Sequence, residues 1–297
     1  MSYDAKVLAD SIGPSGQRLL TVEVTFPRFI LAEVNTHRMF SRNSASSRAI
    51  PPEKQIERLV KDPFIPEAFH TRVKGMGQGD PITDQDRARD FWLKGADKAI
   101  EAAEGLMSLG ISKAHVNRLL EPYMWHTAII TATDWDNFFA LRCPPGDEVD
   151  YDFPAQPEFQ RAALCMRQVM RASDPTAKTC SQWHLPLVNP IEVTTYDGED
   201  SDTDTFWPMV SAGRCARVSF DTQGTYEDPA KSYTRALGLL QNGHLSPLEH
   251  PAWPASVRMG QSLPYYQNLH GWESLRHMTP LQANLVGHKD NRGSWDA

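Results

Sequence analysis

Cysteine is scarce in this chain. Its four cysteines (Cys143, Cys165, Cys180 and Cys215) are widely scattered and form no C-x-x-C pair, which excludes both a disulfide framework and a zinc knuckle. Cys165 and Cys215 sit in apolar helical patterns and read as buried, inert thiols. Long apolar runs are missing too: stretches such as Phe29 to Ala32 fall far short of the roughly 20 residues needed to cross a bilayer. The opening Met1-Ser-Tyr-Asp-Ala-Lys has no signal-peptide core, so a soluble, cytoplasmic protein that does not engage membranes is expected. Positive charge is not in surplus. A net charge of −7 argues against a protein that coats nucleic acid, yet a few arginines focused in one cleft can still hold a phosphate-bearing small ligand. The 297 residues show no internal repeat.

The pattern predicts an α+β fold with more helix than strand. Leu19 to Phe26 alternates apolar and polar residues and reads as a half-buried strand. Pro27 is expected to open a helix running to about His37, and Ser41 to Ser47 reads as a polar loop. Pro51-Pro52 restarts a short helix carrying Ile56 and Leu59, and the glycines of Lys74 to Pro81 mark a connector. Thr83 with Asp86 reads as the cap of a long helix whose apolar face is Phe91, Ala96, Ala99, Ile100, Ala103 and Leu106. Gly110 ends it, Ser112 caps the next helix with Val116, Leu119 and Leu120 inward, and Pro122 stops that one. A further helix is predicted over about Pro157 to Ala172, with Phe159, Ala163, Met166 and Met170 on one stripe. Residues 174–205 read as an acidic linker ending in D-G-E-D-S-D-T-D. It divides region 1–173 from region 206–297, which is expected to complete the same single domain. In that second region Phe206 to Arg217 reads as a helix, Asp228-Pro229 opens another that Gly243 ends, and Trp253 to Met259 reads as a strand.

Three clusters are polar where a core would be apolar. The first, Thr36-His-Arg-Met-Phe-Ser-Arg-Asn-Ser-Ala-Ser-Ser-Arg48, packs three arginines, a histidine, four serines and an asparagine. Arginine forks, serine hydroxyls and loop amides together suit an anion, although an exposed basic loop has the same composition. The second is Gly243-His-Leu-Ser-Pro-Leu-Glu-His250. Its histidines lack the helical spacing that would aim both at one ion, and Pro247 interrupts them, so no metal is expected. A ligand-contacting loop fits better, with a satisfied structural histidine as the alternative for His250. The third pairs Arg118 with Arg142 of Asn137-Phe-Phe-Ala-Leu-Arg142. Each arginine follows apolar residues, which predicts half-burial against an anion or, equally, a structural salt bridge.

Together these clusters resemble the flavin-dependent thymidylate synthases. The signature R-H-R-x-x-S-x-N-x-x-S-x-R is met in register by His37, Arg38, Ser41, Asn43, Ser46 and Arg48. Gly243 to His250 is similar to the family's G-H-x-S-P-x-E-H, Leu109 to Arg142 to the segment ending N-F-x-x-L-R, Ala155-Gln-Pro-Glu-Phe to A-Q-x-E-I, and Ala216-Arg-Val-Ser-Phe220 to A-R-x-S-[YF]. The order is permuted, since the last two G-H and A-R segments precede the signature in the family at large. Circular permutation is tolerated where termini lie near one another, and the arrangement resembles the family's phage-encoded branch.

The resemblance implies a homotetramer with FAD, in which NADPH reduces the flavin and a one-carbon unit passes from methylenetetrahydrofolate to C5 of a deoxypyrimidine monophosphate, dUMP becoming dTMP. It implies flavin contacts from His37, Arg38, Met39, Asn43, Ser219, His244, Ser246 and Glu249. It implies nucleotide contacts from Glu33, Ser44, Ser46, Arg48, Arg118 and Arg142, with Arg142 polarising the ring. Ser46 is the one candidate for a covalent nucleophile, although no base stands at an obvious spacing. The chain departs from the pattern at Thr36 (first arginine), Glu33 (often glutamine), Ser44 (usually glutamate) and Pro154 (a histidine), the last after an insertion spanning Pro144 to Phe153. Such swaps around a base edge change which pyrimidine is accepted. They leave open a hydroxymethylase, a dCMP-directed enzyme, or a nucleotide-binding relative without catalysis.

Overall fold

The alternation of β2 (Arg18–Pro27) organises the molecule. Leu20, Val22, Val24 and Phe26 fall on one face of the strand and Thr21 and Thr25 on the other. In the computed structural model, which describes residues 2–74, 77, 79–198, 204–218, 227–256 and 262–279, β2 lies at the centre of a mixed five-stranded sheet. With β1 (Asp4–Ile12), β3 (Ser41–Ser44), β4 (Trp125–Ala132) and β5 (Thr176–Ala177), the order is β3-β4-β2-β1-β5. β5 runs parallel to β1, and the other pairs are antiparallel. A tight turn at Gly16, whose φ is +80°, joins β1 to β2.

The helices are α1 (Leu31–Val34), α2 (Pro52–Lys61), α3 (Gln85–Ser108), α4 (Lys113–Leu120), α5 (Asp136–Arg142), α6 (Pro157–Arg171), α7 (Pro190–Thr195), α8 (Phe206–Cys215), α9 (Pro229–Gln241) and α10 (Leu275–Met278). Short strands β6 (Ala252–Pro254) and β9 (Trp272–Ser274) pair with each other, as do β7 (Tyr265–Tyr266) and β8 (Leu269–His270).

One sheet face packs Leu20, Val22, Val24 and Phe26 of β2 with Ala128, Ile130 and Ala132 of β4 against Phe159, Ala162, Ala163 and Met166 of α6. The opposite face carries Ile129, which packs against Cys215 at the end of α8 and Val218 just after it. A buried polar seam also crosses that face. Ser11 Oγ lies 2.9 Å from His184 Nδ1, His184 Nε2 2.7 Å from Thr21 Oγ1, Thr21 Oγ1 2.7 Å from Thr131 Oγ1, and Thr131 Oγ1 2.8 Å from His250 Nδ1. All five residues are at most 2% exposed. The seam ties His184 and His250 to the sheet.

Local sequence explains most boundaries. Asp84, Ser112 and Asp228 accept hydrogen bonds from the Arg87, Ala114 and Ala230 amides and cap α3, α4 and α9. Gly110 and Gly243, at φ +72° and +74°, follow the ends of α3 and α9. Gly213 is where α8 meets α9, and a Cβ there would lie 2.0 Å from the Ser232 carbonyl oxygen.

Several expectations are corrected. Pro27 closes β2 opposite Trp125, and the predicted helix shrinks to a 3-10 turn, Arg28–Ile30, followed by α1. Ser41 to Ser44 is a strand despite its polarity, because the edge of β4 offers backbone groups that a ladder satisfies whatever the side chains. The cap of α3 is Asp84 in place of Thr83, Phe91 is 61% exposed, and Leu119 is 39% exposed. Within the stretch read as a linker, Thr176–Ala177 pairs with β1, His184 is fully buried and Asn189 forms a capping box on α7. Residues 199–203 of the acidic tract, Gly75, Met76 and Gln78 of the connector, and Val257 to Met259 lie outside the described residues. No described helix is long and apolar enough to cross a membrane.

Candidate active site

His37 follows α1 and is 9% exposed, wedged among Phe40, Phe138 and Phe159. Arg142, at the end of α5, donates from Nε to His37 Nε2 at 3.2 Å, and its guanidinium lies 4.8 Å from the centre of the Phe159 ring. Burial, with the Arg142 and Arg42 charges, pushes His37 down to about 4. The imidazole is therefore neutral, accepts at Nε2 and carries its hydrogen on Nδ1. Arg142 is half-buried, as its apolar flanks predict.

Asn43, on β3, joins the chain's two halves. Its Nδ2 donates to the Cys215 carbonyl at 2.8 Å, and its Oδ1 accepts from Ser246 Oγ at 3.2 Å. Arg42 beside it feels the charge of Glu249, which is itself paired with Arg276. The T-H-R signature, the residue just before A-R-V-S-F and the G-H-L-S-P-L-E-H segment thus meet at Asn43. Ser219 lies outside the described residues. Arg38 and His244 are exposed and Met39 is 37% exposed, whereas Asn43, Ser246 and Glu249 spend polar atoms on one another or on neighbours. Both His250 and His184 are neutral, pushed down to about 3 by burial; Lys178 and His250 add to the effect on His184.

The Ser46–Ser47 turn that follows β3 lines a cavity of about 640 Å³. Its wall includes Arg28, whose side chain is 10% exposed and held from four sides. Nη1 donates to His126 Nδ1 at 2.9 Å and to the Ala45 carbonyl at 3.3 Å, while Nη2 donates to Ser47 Oγ and to Glu121 Oε1, each at 3.0 Å. Ser47 Oγ also donates to Glu121. Burial and the Arg28 charge push His126 down to about 3. Asn117, fully buried, donates to the Ser47 and Ile50 carbonyls at 2.6 and 2.9 Å and fixes the turn. Lys54, Arg58 and Lys61 of α2 line the same cavity, as does Val218 from the A-R-V-S-F segment.

Of the expected nucleotide residues, only Ser46 lines this cavity. Arg48 is exposed. The Arg118 side chain is 69% exposed, with Glu121 4.0 Å away; its helix turns that face outward, so the apolar flank misled. Glu33 lies on α1 with Oε2 buried and unpartnered, and Ser44 is on β3. Arg142 sits with His37, apart from the cavity wall. Sequence reading passed over Arg28, Asn117, Glu121 and His126. A signal existed for His126, a histidine inside the apolar run W-H-T-A-I-I-T-A, but none marked Arg28, which reads as one more helical residue after Pro27.

Residues 16–176, more than half of the chain, match the family described as thymidylate synthase complementing protein. The chain belongs to that family. Two solved structures similar to this member of the thymidylate synthase complementing family are both described as a UMP/dUMP methylase PolB from Streptomyces cacaoi. One is bound with 5-Br UMP: TM-score 0.43, 17% identity, 58% of this chain and 88% of that chain covered. The other is bound with 5-Br dUMP: TM-score 0.40, 19% identity, 52% and 65% covered. No curated protein matches the sequence.

Proposed function

We propose that this chain transfers a one-carbon unit from methylenetetrahydrofolate to C5 of a deoxypyrimidine monophosphate, dUMP to dTMP, with FAD as cofactor and NADPH as reductant. The observation that carries the reading is the Asn43 clasp, which joins the signature to Ser246 of the G-H-L-S-P-L-E-H segment and to the residue just before A-R-V-S-F. The donor set there suits a ring-bearing anionic cofactor: exposed Arg38 and His244 can meet its phosphates, and Met39 and the His37 surroundings offer apolar faces. When bound, reduced flavin supplies the electrons and relays the carbon unit. The chain's own part is to hold and polarise. Arg142, locked on Phe159 and His37, presents a fixed cation to the pyrimidine ring. Ser46, Arg48 and Arg118 take the nucleotide phosphate, and the exposure of the two arginines fits a site completed by another subunit of a cytoplasmic homotetramer.

The test is the visible spectrum of the purified protein with FAD, then NADPH, with dUMP or dCMP. A bound flavin bleached in a nucleotide-dependent way is the expected result; a colourless protein that ignores FAD would refute the reading. Arg48→Ala should weaken dUMP binding several-fold or more, since a charge-assisted bond is worth about 1.5–3 kcal/mol. A second reading, dCMP as acceptor or hydroxymethyl as product, is favoured by the unpartnered Oε2 of Glu33, which can accept from an exocyclic amine. Product analysis with each nucleotide separates the two.

A further inference from the structure

We infer that Glu121 is an internal anion seated where a ligand's phosphate binds, and that it sets how strongly the cavity prefers phosphorylated over unphosphorylated nucleosides. The inference rests on the proposed nucleotide reading, with the phosphate entering the cavity at Ser46, the one expected nucleotide residue that lines it. Two donors converge on this one carboxylate, Arg28 Nη2 at 3.0 Å and the Ser47 hydroxyl, and the exposed Arg118 guanidinium lies 4.0 Å away. Arginine forks and hydroxyls are the groups that recognise phosphate, and they accept a carboxylate or a phosphate by the same bonds.

The rest of Arg28 is pinned. Its contacts to His126, Ala45 and Ser47 hold the guanidinium in place without Glu121, whose side chain is 24% exposed beside the cavity. Glu121 is also poorly placed by its own backbone. It follows the last residue of α4, where the negative end of the helix disfavours a carboxylate. The cations hold it there, so a better anion can take its place. Lys54 and Lys61 line the same cavity together with Glu57, Arg58 and Asp62. A ligand without a phosphate offers Arg28 nothing in exchange and meets the seat already filled.

The experiment is calorimetric titration of the full chain and of Glu121→Gln with dUMP, deoxyuridine and inorganic phosphate. Glu121→Gln should tighten dUMP and phosphate about tenfold, the weight of one charge-assisted contact no longer displaced, and leave deoxyuridine unchanged. Glu121→Asp, which keeps the charge, should bind dUMP no tighter than the unmodified chain, and it serves if Glu121→Gln does not fold. Equal or weaker dUMP binding by Glu121→Gln overturns the role of Glu121 while leaving the nucleotide reading intact. A chain that ignores dUMP yet gains phosphate binding in Glu121→Gln upholds the seat and sinks the nucleotide reading. Tightening by Glu121→Asp, or tightening of deoxyuridine as much as dUMP, overturns the inference.

Discussion

The Ser246 hydroxyl donates to the side-chain carbonyl of Asn43 at 3.2 Å across 203 residues of chain. The other end of the same amide holds the Cys215 carbonyl. Asn43→Ala removes both bonds and should lower stability by about 1–3 kcal/mol. FAD affinity should fall with it, because two segments lose their common anchor. Ser246→Ala, which removes only one bond, should cost about 0.5–1.5 kcal/mol. Urea unfolding and flavin titration check both, and a full-strength flavin site in Asn43→Ala would contradict the clasp.

Arg142 is locked by a face contact and a hydrogen bond that lysine cannot make together. Arg142→Lys should slow single-turnover transfer by about 10²-fold or more, with little change in flavin binding. An unaltered rate would remove Arg142 from the chemistry.

Stability should fall in mild acid. His37, His126, His184 and His250 are all held below the usual histidine value, chiefly by burial. The folded state keeps them neutral while the unfolded chain takes up protons near pH 6.5, so the unfolded state binds more protons as pH drops. The contribution is complete above pH 6.5 and is lost as pH falls toward about 4 for His37 and about 3 for the other three. Each histidine costs up to about 1.4 kcal/mol per pH unit in that window. Urea midpoints across it should fall steeply; a flat profile would mean these rings are not buried neutral.

Gly213→Ala places a methyl group 2.0 Å from the Ser232 carbonyl oxygen. The crossing of α8 and α9 must open, at a cost of about 1–3 kcal/mol. Because α8 leads directly to Cys215, flavin affinity should drop as well, measured alongside the melting temperature.

Much of this fold is legible in the sequence where one segment decides for itself. The strict alternation of Leu19 to Phe26 fixes β2, and Ser112, Pro157 and Asp228-Pro229 announce their helices. What stays hidden depends on neighbours. β3 is polar and exists because β4 needs a partner. β1 and β4 carry Asp, Lys or His among their apolar residues, which blurs the period. The site divides the same way. His37, Asn43, Ser46 and Arg142 stand out by motif, whereas Arg28, Asn117, Glu121 and His126 meet only when a turn, a helix end and a strand start converge.

The seam from Ser11 to His250 has a direction. His184, Thr21 and Thr131 each own one mobile hydrogen, and only two arrangements place a hydrogen in every one of the four links. In one, every donor points toward His250, whose Nε2 then carries hydrogen. In the other every donor points toward Ser11, and His250 Nε2 is a bare lone pair. An intermediate arrangement leaves one buried link with two lone pairs facing each other and no hydrogen between them, which favours reversal of the four links together. The unpartnered His250 Nε2 is one terminal of this aligned row of dipoles, and whatever atom meets it selects the polarity felt at Ser11, across the three strands β4, β2 and β1 on the same face.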